Sequence, residues 1–339
     1  MPHPRPEPTA DPVGRAWHPI CLSSELGQGP LGLRLLGHDL VAFRDADGAA
    51  RVAGGRCPHR GTRLALGTVA DGCVVCPYHG WRFDGRGACT RIPSQDPRLP
   101  VPAAAHLPVV ACREVGGIVW ASRDGGADPL AVPVLPGPGQ TDMRVIAGEP
   151  FTWRTSAGRH LENILDLAHF PFVHPGTFGS PDAELVEPHE VDRAPGRIRA
   201  AVGVTTVNPE TPDGPHYPGL GPLIRLGYTY TVDLPFRITL EFAFPDGMRR
   251  ALHEVVAPVG QDECRVYWCL LADPRLRSSD EEELDFAARV FAEDRPVIES
   301  QPPGVPLDRR AEVHVAADKL AVAWRAALRD AGMPEGALV

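Results

Sequence analysis

The sequence contains two short cysteine–histidine motifs, Cys57-Pro58-His59 and Cys76-Pro77-Tyr78-His79, with sixteen residues between them. Glycine follows each motif closely, at Gly61 and Gly80, and gives the backbone room to approach a bound group. Thiolates and imidazoles are common protein ligands of iron and zinc. The two motifs therefore predict a site for a metal ion or a metal cluster.

Three kinds of site are compatible with some of these residues. A zinc ion can be bound by two cysteines and two histidines, and Cys73 with Cys76 also forms the C-x-x-C pattern of a redox dithiol. A dithiol leaves Cys57 and both histidines unexplained, and zinc requires neither this pair of spacings nor a proline after each cysteine. The pattern is typical of a Rieske [2Fe–2S] centre, in which two thiolates bind one iron and two imidazoles bind the other. We predict that Cys57, Cys76, His59 and His79 bind such a cluster.

Composition narrows the class of protein. The 339 residues are sufficient for two domains, each with its own core. Eight cysteines are few for a secreted disulfide framework, and no apolar stretch has the length of a membrane span. The net charge of −9 argues against a nucleic-acid partner. We therefore expect a cytoplasmic enzyme with no membrane partner.

The first part of the chain has the pattern of a small antiparallel β domain. Residues 1–16 are rich in proline and polar side chains and predict a disordered leader. Residues 17–123 show short strands joined by turns such as Asp47-Gly48 and Gly116-Gly117, which predict a Rieske domain of hairpins. Residues 124–140 are rich in proline and glycine and predict a linker.

The second part, residues 141–335, predicts a catalytic domain of the α+β class. A strand near 143–155 and a helix over 158–170 precede a long antiparallel series of strands. Two helices, near 280–301 and 314–331, follow the strands. Such an order favours helices that lie on an antiparallel sheet.

A second candidate metal site lies in the segment 162–175. Asp166 and His169 are three residues apart, as expected for one face of a helix. Pro171 predicts that the helix ends before it, so that the chain turns and brings His174 back towards His169. Taken alone, two histidines in an apolar segment are more often core residues than ligands. With a nearby carboxylate they predict a metal site.

The carboxylate is predicted from the periodicity of the helix near 280–301. Asp294 follows the apolar stripe of that helix, three residues after Phe291 and four before Ile298. A carboxylate on a buried face requires a charged partner, which a metal ion provides. Two histidines and one carboxylate form the facial site of iron enzymes that use O₂. Glu293 is expected to face solvent, and Asp285 and Glu299 are alternatives to Asp294.

In combination, these motifs resemble the Rieske non-haem iron oxygenases, the family of aromatic ring-hydroxylating oxygenase alpha subunits. The resemblance is strongest to the single-component group of vanillate O-demethylase and dicamba monooxygenase, and it extends from about Trp17 to the final helix. The motifs that carry it are Cys57-x-His59, Cys76-x-x-His79, Asn163-x-x-Asp166-x-x-His169-x4-His174 and Glu293-Asp294 with Glu299-x-Gln301.

The resemblance implies a fold and a role for each candidate residue. The catalytic domain is expected to have a helix-grip (START-like) fold, with His169, His174 and Asp294 bound to a mononuclear Fe(II). Asp166 is expected to carry electrons from the cluster of a neighbouring subunit, through the residue equivalent to His79, in a homotrimer. Asn163 is expected near the iron without being a firm ligand.

The implied activity is that of a terminal oxygenase. Electrons from NAD(P)H pass through a separate reductase or ferredoxin to the cluster and on to Fe(II), where O₂ is activated for monooxygenation. Hydroxylation or O-demethylation of an aromatic or small cyclic substrate is expected. The alternatives are a tailoring oxidation in specialised metabolism (N-oxygenation, desaturation or cyclisation) and a Rieske electron-transfer protein, which needs no second metal site.

Overall fold

The computed structural model of the chain describes residues 12–125, 131–175, 177–208, 210–211, 214–215 and 220–333. Its contacts divide the chain into two units. The first comprises the described residues up to Val134 together with Ala257–Gly260, and the second comprises the remainder. An antiparallel β unit precedes a unit with an antiparallel sheet and C-terminal helices, which confirms the predicted α+β class.

The first unit is built from short strands. Its elements are α1 (Pro12–Arg15), β1 (His18–Leu22), β2 (Leu31–Leu35), β3 (His38–Arg44), β4 (Ala50–Gly54), β5 (Thr68–Ala70), β6 (Cys73–Val75), β7 (Arg82–Phe83), β8 (Cys89–Arg91), β9 (Val109–Val115) and β10 (Ile118–Ser122). One sheet has the strand order β1-β10-β9-β4-β3-β2, and a smaller sheet has the order β5-β6-β7-β8. All pairs in both sheets are antiparallel.

The predicted hairpin turns are confirmed. Gly48 joins β3 to β4, and Gly116-Gly117 joins β9 to β10, each with a positive φ that favours glycine. The prediction of a disordered leader over residues 1–16 was wrong for its last residues. Residues 1–11 lie outside the described part of the chain, but Pro12–Arg15 form a helix whose Val13 is buried. The Val13 carbonyl accepts a hydrogen bond from His18 Nε2 at 2.7 Å, and this contact orders the segment.

The described residues of the second unit form an eight-stranded antiparallel sheet and four α-helices. Its elements are β11 (Arg144–Ala147), β12 (Phe151–Trp153), α2 (Ala157–Leu165), α3 (Phe170–Val173), β13 (Val191–Ala194), β14 (Arg197–Val207), β15 (Glu210–Thr211), β16 (Gly214–Pro215), β17 (Leu223–Asp233), β18 (Arg237–Ala243), β19 (Arg249–Gly260), β20 (Glu263–Ala272), α4 (Asp280–Ile298) and α5 (Lys319–Asp330). The sheet order is β11-β20-β19-β18-β17-β14-β13, with β12 also paired to β20. The long strands β14 and β17 largely alternate buried residues with half-buried or exposed ones, as expected for a sheet covered mainly on one face.

The strand predicted near 143–155 is two strands, β11 and β12. Both pair with β20, but they are separated at Gly148. The backbone there passes against the indole of Trp268, and a Cβ on Gly148 would lie 2.0 Å from that ring. This close approach interrupts the regular pairing.

The helix predicted over 158–170 ends earlier than expected, at Leu165. Asp166 has extended backbone angles at the helix C-terminus and is therefore not on a helical face with His169. Pro171 does not end a helix but stands in the first turn of α3, where its missing N–H costs little. His169 and His174 flank this single turn.

The helix α4 begins with a capping box, in which Ser279 accepts from the Glu282 N–H and the Glu282 carboxylate accepts from the Ser279 N–H. Its buried residues include Ala287, Asp294 and Ile298, on the predicted stripe, and also Glu283. Within the described residues, no helix is both long enough and apolar enough to cross a membrane.

Candidate metal centres

The four predicted cluster ligands lie on two loops of the first unit. Cys57 and His59 are in the loop between β4 and β5, and Cys76 and His79 are between β6 and β7. Both cysteines are buried, and the two imidazoles approach each other with 3.1 Å between their Nδ1 atoms. Gly61 and Gly80 have φ values of 72° and 68°, which allow each loop to turn back tightly after its histidine.

The arrangement separates the two cysteines from the two histidines. The Cys57 thiol contacts that of Cys76, and burial together with this contact raises the pKa of Cys57 to about 11. Ligands of one metal ion should all be close together. Among the described residues, only His169, His174 and Asp294 form a group of three or more such atoms within 4.8 Å of one another. The loop residues therefore do not fit a single zinc ion, whereas a two-iron cluster separates a thiolate pair from an imidazole pair.

Trp81 fixes the orientation of one of these imidazoles. Its indole stacks on His59 with 4.7 Å between the ring centroids and 4° between the planes. Trp81 was not identified in the sequence, because the contact depends on the fold of both loops.

His169, His174 and Asp294 converge in the second unit. The Nε2 atoms of the two histidines are 3.2 Å apart. Asp294 Oδ1 lies 3.1 Å from His174 Nε2 and 3.5 Å from His169 Nε2. Neighbouring ligands at right angles around an ion, with bonds of about 2.1 Å, are about 3.0 Å apart. The three atoms therefore have the spacing of ligands on one face of a metal ion.

The chemistry of the three atoms also fits a cation. Asp294 Oδ1 is buried and makes no hydrogen bond of good geometry with any described residue. A buried carboxylate oxygen without a donor is costly, and two imidazole nitrogens directed at each other cannot both be satisfied by one proton. A divalent metal ion satisfies all three atoms.

Glu293 contacts His174 on the side of the ring opposite the converging atoms. The expectation that Glu293 faces solvent was wrong. Its Oε2 accepts a hydrogen bond from His174 Nδ1 at 2.7 Å and a second from the Thr177 hydroxyl. A proton on Nδ1 leaves the Nε2 lone pair of His174 free for a metal. Burial lowers the pKa of His174, but the carboxylates of Asp294 and Glu293 outweigh burial and raise it.

Asp166 lies next to His169 on its other side. One oxygen accepts from the Ala168 N–H at 2.7 Å, and the other lies 3.7 Å from His169 Nδ1. Burial raises the pKa of Asp166, but the His169 ring outweighs burial and lowers it. The Asp166 side chain is 40% exposed, so it is accessible from outside the unit.

The alternative carboxylates do not approach the two histidines. Asp285 is exposed on α4. Glu299 accepts hydrogen bonds from Arg154 and Arg295. Asn163 is buried on α2 and lines the same cavity as the histidines.

A cavity of about 210 Å³ opens beside His169, His174 and Asp294. Most of its wall is apolar and comes from the sheet, α3 and α4. Its aromatic residues are Phe170, Phe178, Tyr228, Phe242, Phe244, Phe286 and Phe291. A largely apolar wall with a few placed polar groups is typical of a small-molecule site.

Two family models match the chain. Residues 16–111 match the Rieske [2Fe–2S] domain, and residues 153–332 match the vanillate O-demethylase oxygenase C-terminal domain. Methylxanthine N1-demethylase NdmA of Pseudomonas putida is 34% identical over 322 residues, which cover 93% of this chain and 88% of that protein. This chain belongs to the Rieske non-haem iron oxygenases.

Other relatives of this Rieske oxygenase agree. Methylxanthine N3-demethylase NdmB of the same organism is 33% identical, over 91% of this chain and 86% of its own length. The structure of NdmA with caffeine superimposes with a TM-score of 0.76 at 32% identity, covering 94% of this chain and 90% of that one. Dicamba monooxygenase bound to dicamba, at 22% identity and a TM-score of 0.72, shares the fold.

Family membership confirms the predicted class of reaction. The Rieske oxygenase is an oxidoreductase that uses a [2Fe–2S] cluster, Fe(II) and O₂ to oxygenate a small molecule, with electrons from NAD(P)H supplied by a separate reductase. The electron-transfer alternative is not favoured, because the second half of the chain matches an oxygenase domain.

Proposed function

We propose that this oxygenase removes a methyl group from a small planar aromatic or heteroaromatic substrate held in the cavity beside His169, His174 and Asp294. One observation carries the proposal. The three candidate ligands converge within 4.8 Å of one another, and all three residues line a mostly apolar cavity. A facial set with open positions suits O₂ and substrate together.

Each candidate residue has a role in this proposal. His169, His174 and Asp294 bind the mononuclear iron, and Cys57, His59, Cys76 and His79 bind the cluster. Their support is the geometry of the three converging atoms and the separation of the cysteine pair from the histidine pair. We further propose residues 17–123 as the Rieske domain, 124–140 as the linker and 141–335 as the catalytic domain.

When bound, the Fe(II) supplies the activation of O₂. In the overall reaction, one oxygen atom of O₂ is inserted into a C–H bond of the methyl group, and the other leaves as water after taking up two electrons and two protons. The resulting carbinol breaks its bond to the heteroatom and releases formaldehyde. The protein positions the methyl group and excludes water, for which the apolar cavity is suited.

An N-methyl group is the favoured target. Two relatives that match more than 90% of this chain are named as N1- and N3-demethylases of methylxanthines. O-demethylation is the second candidate, since the dehydrodivanillate O-demethylase oxygenase subunit of Sphingobium matches 49% of this chain at 31% identity.

We propose that electrons enter the mononuclear site through Asp166 from the cluster of a neighbouring subunit in a homotrimer. The exposed position of Asp166 beside His169 supports this route, because another chain can reach it.

Asn163 lies near the metal as a positioning residue. A cytoplasmic location is proposed from the dependence on NAD(P)H.

Formaldehyde release tests the proposed function. Protein with both iron sites loaded is reduced, mixed with O₂ and N-methyl or O-methyl aromatic compounds, and assayed for formaldehyde and the demethylated product. We expect formaldehyde in proportion to enzyme from a responding N-methyl compound, none from Asp294→Asn, and wild-type yield from the exposed control Asp285→Asn. Hydroxylated ring products without formaldehyde would contradict demethylation.

A further inference from the structure

An ion pair lies in the wall of the cavity, between Arg250 on β19 and Glu283 on α4. Arg250 Nη2 donates to Glu283 Oε1 at 2.8 Å, and the Ser278 hydroxyl donates to the same oxygen. The Glu283 side chain is only 5% exposed, so its charge depends on these partners. The pair is neutral overall and lies in a wall that is otherwise mostly apolar.

Arg250 retains an unused donor. Its Nε is buried and has no hydrogen-bond partner within the described part of the chain. The guanidinium carbon lies 5.5 Å from the centroid of the Phe244 ring, which also lines the cavity. The Nε atom itself has almost no accessible surface, but the Arg250 side chain lines the cavity and is 30% exposed, so its other N–H groups can donate to an acceptor atom of a bound molecule.

Glu283 of the ion pair and Asp294 of the metal site lie at different positions along the helix α4. Glu283 and Asp294 are eleven residues apart on α4, which corresponds to three turns and about 16 Å along the axis. Phe286, Ala287, Val290 and Phe291 line the cavity between them. On the sheet, Arg250 is paired with Phe242, which is paired with Tyr228. The cavity thus has a polar end and a metal end joined by an aromatic middle.

We infer that the Arg250–Glu283 pair is the specificity-determining end of the cavity and selects an uncharged planar substrate with a carbonyl-type acceptor. Arg250 donates to that acceptor, and the reacting carbon lies at the opposite end, beside His169 and His174. This inference rests on the proposed function, because it assigns the substrate class of the same cavity.

The charge of the pair distinguishes a neutral substrate from an anionic one. Glu283 already neutralises Arg250, so a carboxylate would enter the apolar cavity without a net counter-charge and close to the negative charge of Glu283. A neutral carbonyl oxygen avoids both costs and still accepts from Arg250. Breaking the pair should therefore change which class binds.

Ligand binding tests the inference without turnover. Anaerobic protein with both iron sites loaded is titrated with three neutral carbonyl compounds (caffeine, theobromine and N-methyl-2-pyridone) and two aromatic carboxylates (vanillate and dicamba). We expect at least one neutral compound to bind more tightly than either carboxylate. Arg250→Met should weaken that binding by about tenfold or more. Glu283→Gln, which leaves Arg250 unpaired, should shift the preference towards the carboxylates.

Two controls keep this result interpretable. Arg249→Met changes the adjacent residue, whose side chain pairs with Asp142 and does not line the cavity, and should bind as wild type does. If a single substitution prevents folding, the double variant Arg250→Met with Glu283→Leu removes both charges together and should fold while losing the neutral ligand. Cluster absorbance and thermal unfolding report the folding of each variant.

Three results would overturn the inference: tighter binding of a carboxylate by wild type, no binding of any neutral compound at about 1 mM, or unchanged binding by Arg250→Met. These outcomes are separate from a failure of the proposed function. Arg250-dependent binding without formaldehyde would overturn the proposed demethylation alone, whereas formaldehyde release with Arg250-independent binding would overturn this inference alone.

Discussion

His174 Nδ1 lies 2.7 Å from Glu293 Oε2, and the Thr177 hydroxyl donates to the same carboxylate oxygen. At the scale of single residues, this contact determines which nitrogen of His174 carries a proton. Carboxylates that orient a metal-bound imidazole in this way also raise its basicity. Glu293 therefore acts through His174 as a positioning residue, while the adjacent Asp294 turns its Oδ1 towards both histidines.

Removal of Glu293 should weaken metal binding. We expect Glu293→Ala to lower the affinity of the second unit for Fe(II) by about 10- to 100-fold, because His174 loses its orienting acceptor. Glu293→Gln retains an acceptor oxygen and should lose less. Anaerobic metal titration measures both, and Asp285→Asn on the same helix is the control. Equal affinity of wild type and Glu293→Ala would contradict the positioning role.

Substitution of Asp166 should separate metal binding from electron delivery. Asp166 does not belong to the converging group, so Asp166→Asn should retain both metals. Its product formation should fall by about tenfold or more, because the proposed link from His169 to the cluster of a neighbouring subunit would be disrupted. Reoxidation of the cluster after mixing with O₂ and substrate, followed by absorbance, measures the transfer. Reoxidation at the wild-type rate would refute the route through Asp166.

The importance of Glu293 could not be predicted from its position in the sequence. The helical periodicity placed Asp294 on the buried stripe, as observed, and placed Glu293 about a quarter of a turn away. Its partner His174 is 119 residues distant in the chain, and no local pattern indicates that contact. The Arg250–Glu283 pair could not be predicted for the same reason, because it joins a strand to a helix that are far apart in the sequence.

At the scale of elements, the strands and hairpins were predicted well because turn residues and alternation are local signals. Gly48 and Gly116-Gly117 stand at the turns where they were expected.

The helix ends were predicted less well. The sequence predicts a helix that stops before Pro171, whereas α2 ends at Leu165 and Pro171 stands in the first turn of α3. The same residue type serves both ends of a helix, so its position alone does not distinguish them.

The capping box of α4 should contribute to stability without taking part in the metal site. Ser279→Ala removes the side-chain acceptor of the Glu282 N–H and should lower the free energy of unfolding of the second unit by about 1 kcal/mol. Denaturant unfolding measures this change. Metal affinity should remain at the wild-type value, because Asp294 lies four turns further along the helix. A tenfold loss of metal affinity would contradict this separation.

At the scale of the whole molecule, the proposed electron route requires metal centres of different subunits to work together. A homotrimer has three times the 36.5 kDa mass of the chain, or about 110 kDa. The electron route through Asp166 predicts that a cluster in one subunit serves the iron of the next. Light scattering of the purified protein measures the mass, and a monomer with full activity would contradict this route.

Mixed trimers test the route directly. One variant lacks the cluster (Cys76→Ser) and the other lacks the mononuclear site (His169→Ala), so each homotrimer should be inactive. Co-assembled subunits should recover part of the wild-type activity, because an intact cluster in one subunit can lie next to an intact iron site in its neighbour. If the co-assembled protein is no more active than a mixture of the two separate homotrimers, electron transfer between subunits would be contradicted.

The iron content of the protein shows whether His169, His174 and Asp294 bind a mononuclear iron distinct from the cluster. Fully loaded wild-type protein should contain about three iron atoms per chain, two in the cluster and one in the second site. Asp294→Ala should contain about two, with unchanged cluster absorbance and no formaldehyde from a responding N-methyl substrate. Three iron atoms and wild-type turnover in Asp294→Ala would contradict the assignment of this site.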